Sequence, residues 1–382
     1  MPQPERAEAW LRVVLTEGLG PRRLERLQAI LPDPLDWPSA GDETLRSAGL
    51  DDALIRTLRR PDPNAMQRCL RWLEADHHWL ITRDDPLYPP LLQRIPDPPL
   101  ALFVAGQPDV LVRPQIAIVG SRSATRGGLD HAGSFAHRLA RAGFVITSGL
   151  AAGVDGAAHR GCLDAGGQTI AVAGTGPDRV YPARHRRLAE DILEGGALIS
   201  SFPPGTPPLP GNFPARNRII SGASLGVVVI EAGLRSGSLI TARLANEQGR
   251  EVFAIPGSVH NPQARGCHRL IRDGAHLTES ADEVIEALAP LAQELAGALE
   301  HLLELDGGRN DKGLDESPDL PHILSDPDYQ QLLDVIGFDP TPVDTIIERS
   351  NLTPAAVSSM LLMLELDGAV VAHAGGRYSR NA

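Results

Sequence analysis

The sequence predicts an α/β protein: a Rossmann-like, doubly wound parallel sheet, preceded by a small helical domain and followed by a winged-helix domain. Short Val/Ile-rich runs such as Ile116-Ala117-Ile118-Val119 and Val227-Val228-Val229-Ile230 alternate with helical stretches between residues 73 and 290. Runs that are apolar on both faces belong to strands covered by helices on each side. These runs empty into loops of Gly, Ser, Thr and Arg rather than into hairpin turns. Outside that span the pattern changes to short helices on one side and to helices with a hairpin on the other.

Residues 1–72 read as a SAM-like or helix-hairpin-helix-like domain. Helices at 9–15 and 22–31 flank Glu17-Gly18-Leu19-Gly20-Pro21, and a second pair spans 45–58 around Gly49. The turn amides of such modules can touch a DNA backbone, or the glycines serve only to reverse the chain. Within the Rossmann-like domain, 73–290, strands are expected at 115–119, 144–147, 169–172, 197–200, 226–230 and 251–255. Helices are expected at 127–142, 153–165, 185–194, 216–223, 238–248 and 280–289. Residues 291–327 read as a linker, rich in Asp, Gly, Pro and Ser from 307 onward. Residues 328–382 follow as the winged helix, with helices at 329–336, 343–348 and 353–366 and a hairpin of 369–373 with 377–378. Thr353-Pro354 supplies N-cap and first helical position for its third helix. This last domain holds 3 basic and 7 acidic residues, which favours packing or protein contact over duplex DNA.

Composition narrows the function. With 382 residues, 42% hydrophobic and 22% charged, the chain is globular and long enough for two or three domains. It lacks an apolar run approaching the ~20 residues of a bilayer span, and its N-terminus lacks a signal-peptide layout, so a cytoplasmic protein is expected. Cys69, Cys162 and Cys267 are odd in number and far apart, against a disulfide framework or a zinc site. The net charge of −12 is unevenly spread: −4 over residues 1–111, +3 over 112–290 and −11 over 291–382. The mildly basic middle holds the Gly/Ser/Arg loops. Arg makes up 35 of the 36 basic residues, a bias that codon usage explains as readily as phosphate binding.

The loops after the strands carry the candidate site. Ligands of doubly wound sheets sit at the carboxyl ends of the strands, where orphan amides and Arg forks suit phosphate oxygens. Gly120, Ser121 and Arg122 follow one strand, Gly149 the next, and Gly174 and Gly176 a third. Arg216 and Arg218 flank Asn217 at an expected helix start, beside Ser236, Gly237, Ser238 and Thr241; salt bridges to a carboxylate such as Glu231 are the competing reading. Arg184, Arg186 and Arg187 surround His185, either as a solvated helix face or as a track for a strand backbone. Gly120-Ser121-Arg122-Ser123 is not a dinucleotide fingerprint, so NAD is not expected. Asp155 and His159, at i and i+4, read as a helical ion pair rather than a base and its orienter. Neither a nucleophile set nor a metal-ligand spacing emerges, so a binding protein without cofactor or metal is expected rather than an enzyme.

Beyond these physical readings, Ile118-Val119-Gly120-Ser121-Arg122, Ser148-Gly149-Leu150-Ala151, Tyr181-Pro182, Phe213-Pro214-Ala215-Arg216-Asn217-Arg218-Ile219-Ile220 and Ser236-Gly237-Ser238-Leu239-Ile240-Thr241-Ala242 together resemble the DprA/Smf family of DNA-processing proteins. The likeness spans residues 91–289. It implies a homodimeric protein that binds single-stranded DNA, protects incoming DNA in natural transformation and loads RecA recombinase onto it. It also implies that Arg122 with the Gly120 and Ser121 amides, and Arg216 to Arg218 with the 236–238 loop, line the strand-binding pocket. The family more often has Asn where His185 stands, with a neighbouring Lys, so Arg184, Arg186 or Arg187 must replace that cation. Low aromatic content near the pocket makes base stacking the smaller share of affinity. A nucleotide-cleaving phosphoribohydrolase of the lysine-decarboxylase-like superfamily is the alternative, although its P-G-G-x-G-T loop is replaced here by Glu231-Ala232-Gly233-Leu234-Arg235-Ser236. A pure adaptor acting through the acidic winged helix is a third reading.

Overall fold

The computed structural model describes residues 4–307 and, beyond them, 332–333, 335–337, 341–350, 352, 357, 360–361, 364, 370–373 and 377–380. Residues 1–306 form one compact unit and 307–382 a second.

Five helices open the first unit: Pro4–Val14 (α1), Pro21–Ile30 (α2), Asp42–Ser47 (α3), Asp52–Arg59 (α4) and Pro63–Leu73 (α5). The Asp51 carboxylate accepts the Ala53 and Leu54 amides, and Asp62 accepts those of Asn64 and Ala65, which fixes two of their starts. Gly18 and Gly49, at φ +86 and +88, reverse the chain between them. Trp10 meets Trp37 edge to face at 5.2 Å. The core around them also takes in Leu80, Ala101 and Phe103 from the sheet that follows. The helices therefore share buried apolar surface with that sheet.

Strands and helices then alternate: His78–Thr82 (β1), Pro90–Gln93 (α6), Ala101–Gly106 (β2), Gln115–Val119 (β3), Arg126–Arg141 (α7), Val145–Ser148 (β4), Val154–Asp164 (α8), Thr169–Val172 (β5), Arg186–Leu193 (α9), Ala197–Ser200 (β6), Asn212–Ala223 (α10), Gly226–Val229 (β7), Ser238–Glu247 (α11), Glu251–Ala254 (β8), Arg265–Arg272 (α12) and His276–Leu277 (β9). The nine strands lie in the order β1-β2-β6-β5-β4-β3-β7-β8-β9. From β6 to β9 every pairing is parallel. Each run of the parallel core is buried along its length, apart from Glu251 at the start of β8 and the exposed pair of β9. The chain winds outward from β3 through β4, β5 and β6, then returns to add β7 on the opposite side. That reversal puts the topological switch point between β3 and β7.

Helices α5, α6 and α12 and strand β9 were not anticipated, and three further features depart from the sequence expectations. Strands β1 and β2 were not anticipated; they extend the sheet antiparallel beyond β6, pairing Trp79 with Val104 and Phe103 with Ser200. The helix expected to begin at Arg216 begins at Asn212, with Pro214 accommodated in its first turn, where a missing N–H is tolerated. Lastly, the helix opening at Ala281 (α13) runs to Gly307, through Pro290, so residues 291–307 of the expected linker are helical. Leu288 and Leu295, seven residues apart on one face, are buried against the sheet and hold the helix together across the proline.

Helices α7 and α8 cross closely. A Cβ on Gly161 would overlap the Gly133 carbonyl oxygen, whereas one on Gly133 would reach nothing nearer than 3.9 Å. The three cysteines are buried, and burial pushes their thiols up, to about 11 for Cys69 and Cys267 and about 12 for Cys162.

In the second unit, Thr341–Pro342 (β10), Val370–His373 (β11) and Arg377–Arg380 (β12) form an antiparallel sheet in the order β10-β12-β11. The helix Val343–Ser350 joins β10 directly, and Leu332, Ile346, Leu361 and Val370 share a core. Residues 308–327 and the Thr353-Pro354 cap lie outside the described residues.

The glycine asymmetry gives a test. Gly161→Ala should destabilise the first unit by about 1–3 kcal/mol through overpacking, and Gly133→Ala by far less. Urea unfolding of the two variants measures the difference; equal midpoints would mean that the two helices separate freely.

Candidate nucleic-acid interface

The β3–α7 and β7–α11 loops face each other across the switch point, and two sets of bonds at Glu231 tie them together. The Glu231 carbonyl accepts the Ser121 amide at 2.7 Å. Its buried carboxylate accepts the Thr125 amide at 2.8 Å, the Thr125 hydroxyl at 2.7 Å and the Asn261 side-chain amide at 3.2 Å. Thr125 caps α7, accepting the Gly128 amide at 3.1 Å, so the carboxylate also sits at a helix N-terminus, where negative charge is favoured. On the facing loop, the Ser236 and Ser238 hydroxyls bond at 2.7 Å and the Ser238 amide donates to Ser236 at 3.3 Å. The Gly237 amide, just before α11, has no acceptor among the described residues.

Between these loops lies a cleft of about 760 Å³. Gly120, Ser121, Arg122, Arg216, Asn217, Ser236, Gly237, Ser238 and Thr241, nine of the sequence candidates, line it together. Arg122 is exposed, forms no ion pair among the described residues, and holds its guanidinium carbon 5.5 Å from the Phe213 ring centroid.

Arg216 occupies the floor. Its side chain is only 4% exposed and donates to the Gly149 carbonyl at 2.6 Å, to the Val172 carbonyl, and through Nε to the Asn217 side-chain oxygen at 3.2 Å. Asp155 lies beside it, accepting the Gly149 and Ala151 amides at 3.2 and 3.3 Å. Burial pushes Arg216 down to about 10, opposed by the Asp155 charge. Burial likewise raises Asp155 above the ordinary carboxylate range, against the pull of Arg216, the two amides and Arg122. The two charges thus largely neutralise each other beneath the cleft.

The remaining candidates lie elsewhere. Gly149 and Gly174 sit beneath the floor, where a Cβ would strike Arg216 and the Phe213 ring respectively. Gly176 packs against Asp178 and the Pro203 carbonyl. Arg218 turns away from the cleft to bond both the carbonyl and the carboxylate of Asp97. The competing salt bridge to Glu231 is not formed by either arginine, because Thr125 and Asn261 occupy that carboxylate. Arg184, Arg186 and Arg187 are exposed around His185, which is buried with Nδ1 2.9 Å from the Leu150 carbonyl, and none of the three lines the cleft. The expected Asp155–His159 ion pair is also replaced: Asp155 serves the Arg216 floor, and His159 Nδ1 meets the Thr169 hydroxyl at 2.7 Å.

Among the cleft residues that escaped the sequence candidates, three bring a cation or an aromatic ring. Arg235 adds a second exposed cation on the β7–α11 loop. Tyr181, 49% exposed, and Phe213 line the cleft with ring centroids 5.7 Å apart, so the expectation of few aromatics there is corrected. The signal for both rings was their position next to Pro, Tyr181 in the loop after β5 and Phe213 in the first turn of α10.

The family model described as DNA recombination-mediator protein A matches residues 79–289, and that described as the DprA winged helix domain matches 316–376. Protein Smf of Escherichia coli (strain K12) is 45% identical over 313 residues, covering 82% of this chain and 80% of its own length. The fold is similar to the X-ray structure of DNA processing protein A from Streptococcus pneumoniae, with 35% identity, a TM-score of 0.65, and 73% of this chain and 97% of that one covered. It is similar as well to DNA processing protein A from Helicobacter pylori, described for its single-stranded DNA binding mode, with 30% identity, a TM-score of 0.51, and coverage of 56% and 97%.

Two outcomes follow from the buried charges. Arg216→Ala should cost about 3–5 kcal/mol of stability by leaving Asp155 uncompensated, readable as a fall in the urea midpoint; a variant as stable as the parent would show that Asp155 needs no partner. Burial, then the nearby His185, Arg160 and Arg216 charges, pushes His159 down to about 3. Its folded pKa lies below the unfolded ~6.5, so its contribution is complete above pH 6.5 and is lost toward pH 3 at about 1.4 kcal/mol per pH unit. Unfolding at pH 6.5 and 5 should show that slope diminished in His159→Gln; identical slopes would mean His159 titrates normally.

Proposed function

The chain belongs to the DNA recombination-mediator protein A family, and on that premise we propose that it binds single-stranded DNA in the cleft between β3 and β7. The observation that carries this reading is the pairing, in one cleft, of exposed Arg122 and Arg235 with the Tyr181 and Phe213 rings. Guanidinium forks and the free Gly237 amide suit phosphate oxygens, and aromatic faces accept any base, so the strand is held without being read for sequence. Arg216 supports from below and does not grip phosphate itself.

The family resemblance supplies the wider role: a cytoplasmic homodimer that protects incoming DNA during natural transformation and delivers it to RecA recombinase. Among the described residues no helix is long and apolar enough to cross a membrane. The protein acts by binding rather than by catalysis. The nucleotide-cleaving alternative calls for an available carboxylate at Glu231, and that group is buried under Thr125 and Asn261. The acidic composition of the second unit suits protein contact, leaving DNA to the first.

Fluorescence anisotropy with labelled single and double strands across a salt series tests the cleft. Arg122→Ala and Arg235→Ala should each flatten the log–log salt slope by about 0.7, and Phe213→Ala should cost about 1–3 kcal/mol of binding. Arg243→Ala, whose parent residue pairs with Glu247 outside the cleft, should alter neither. Parental slopes in both cleft arginine variants would remove the cleft as the binding site.

A further inference from the structure

A second groove, of about 540 Å³, opens at the Gly18–Gly20 turn and is lined by Arg22, Arg23 and Arg26 of α2 together with Pro96 and Asp97. Arg23 is committed in part to the turn, donating to the Gly18 and Gly49 carbonyls at 2.6 and 3.1 Å. Arg22 and Arg26 are exposed and form no ion pair or hydrogen bond among the described residues. They stand four residues apart on one helix, where like charges repel.

Elsewhere, six arginines of the described residues pair with a carboxylate four residues away, among them Arg46 with Asp42 and Arg269 with Asp273. In the groove no carboxylate takes that place. Asp97 faces the groove but is held by Arg218, and Glu17 is the other acidic residue at the turn. An unrelieved cationic pair in a concave surface lacks its anion.

Helix α10 connects this groove with the cleft. Asn217 lines the cleft, while its neighbour Arg218 lines a smaller depression that shares Gly20, Pro21 and Asp97 with the Arg22–Arg26 groove. We propose that the α2 groove is a second phosphate-binding surface, which takes the continuation of the same single strand after it leaves the cleft. This inference rests on the proposed function, because it requires a strand in the cleft.

The test is a length series of oligothymidylates over a salt range, with parent, Arg22→Ala/Arg26→Ala and Arg122→Ala proteins, each checked for an unaltered thermal melt. The deficit of Arg122→Ala should be present at every length. That of the double variant should grow with length, reaching a salt slope about 1.4 shallower than the parent for long strands, two contacts at about 0.7 each. A double variant that matches the parent at every length and salt overturns the groove and leaves the cleft standing. If the double variant loses only duplex affinity, the groove belongs to another ligand and the proposal fails. Should Arg122→Ala bind like the parent while the double variant is weakened on long strands, the cleft reading falls and the continuation falls with it, leaving the groove as a separate phosphate site. A parent protein that binds no single strand removes both.

Discussion

The Glu231 carboxylate is the interaction on which the site depends. Loops at the end of a parallel sheet have no ladder partner of their own, and their positions must be fixed by something else. Here one residue at the end of β7 holds the loop after β3 through its carbonyl and its carboxylate. The cleft walls are therefore joined across the switch point, and the exposed arginines project from a braced frame rather than from independent loops.

Below that frame, two opposite charges are buried for architecture rather than recognition. Arg216 reaches the carbonyls at the ends of β4 and β5 and satisfies acceptors that have no strand partner there. Asp155 collects the amides of the turn between β4 and α8. Together they close the ends of two adjacent strands, so that the floor is polar but nearly neutral and the attraction for an anion comes from the rim. A cleft made this way can release its ligand, because its cations remain hydrated when it is empty.

Much of the architecture was legible in the sequence because buried parallel strands leave so little choice of residue. The strands at 115–119, 169–172 and 197–200 have the expected boundaries, since each is a run of apolar residues ended by small ones. Strands β1 and β2 were hidden by the prolines between them, which obscure periodicity, and α13 continued past Pro290 because its apolar face outweighed the local stop signal. The loops bearing Arg122 and Ser236–Ser238 were found from composition, which reports the end of a strand but not the direction of a side chain. Arg216 and Arg218 illustrate the gap: two residues apart in one motif, one points into the protein and the other onto Asp97. Only the rotation of a helix that begins four residues earlier than expected separates them. Tyr181 and Phe213 could not be paired in advance, because one lies in a loop and the other in the first turn of α10, and they meet only in space.

The buried thiols have a practical consequence. A thiol reacts through its thiolate, and three thiols held near 11 to 12 inside packed cores offer almost none at neutral pH. A cysteine introduced on the exposed rim, in place of Ser123 for instance, would be the sole accessible thiol that a maleimide dye encounters on the folded protein. The native chain thus already behaves as a cysteine-free background for site-specific fluorescent labelling.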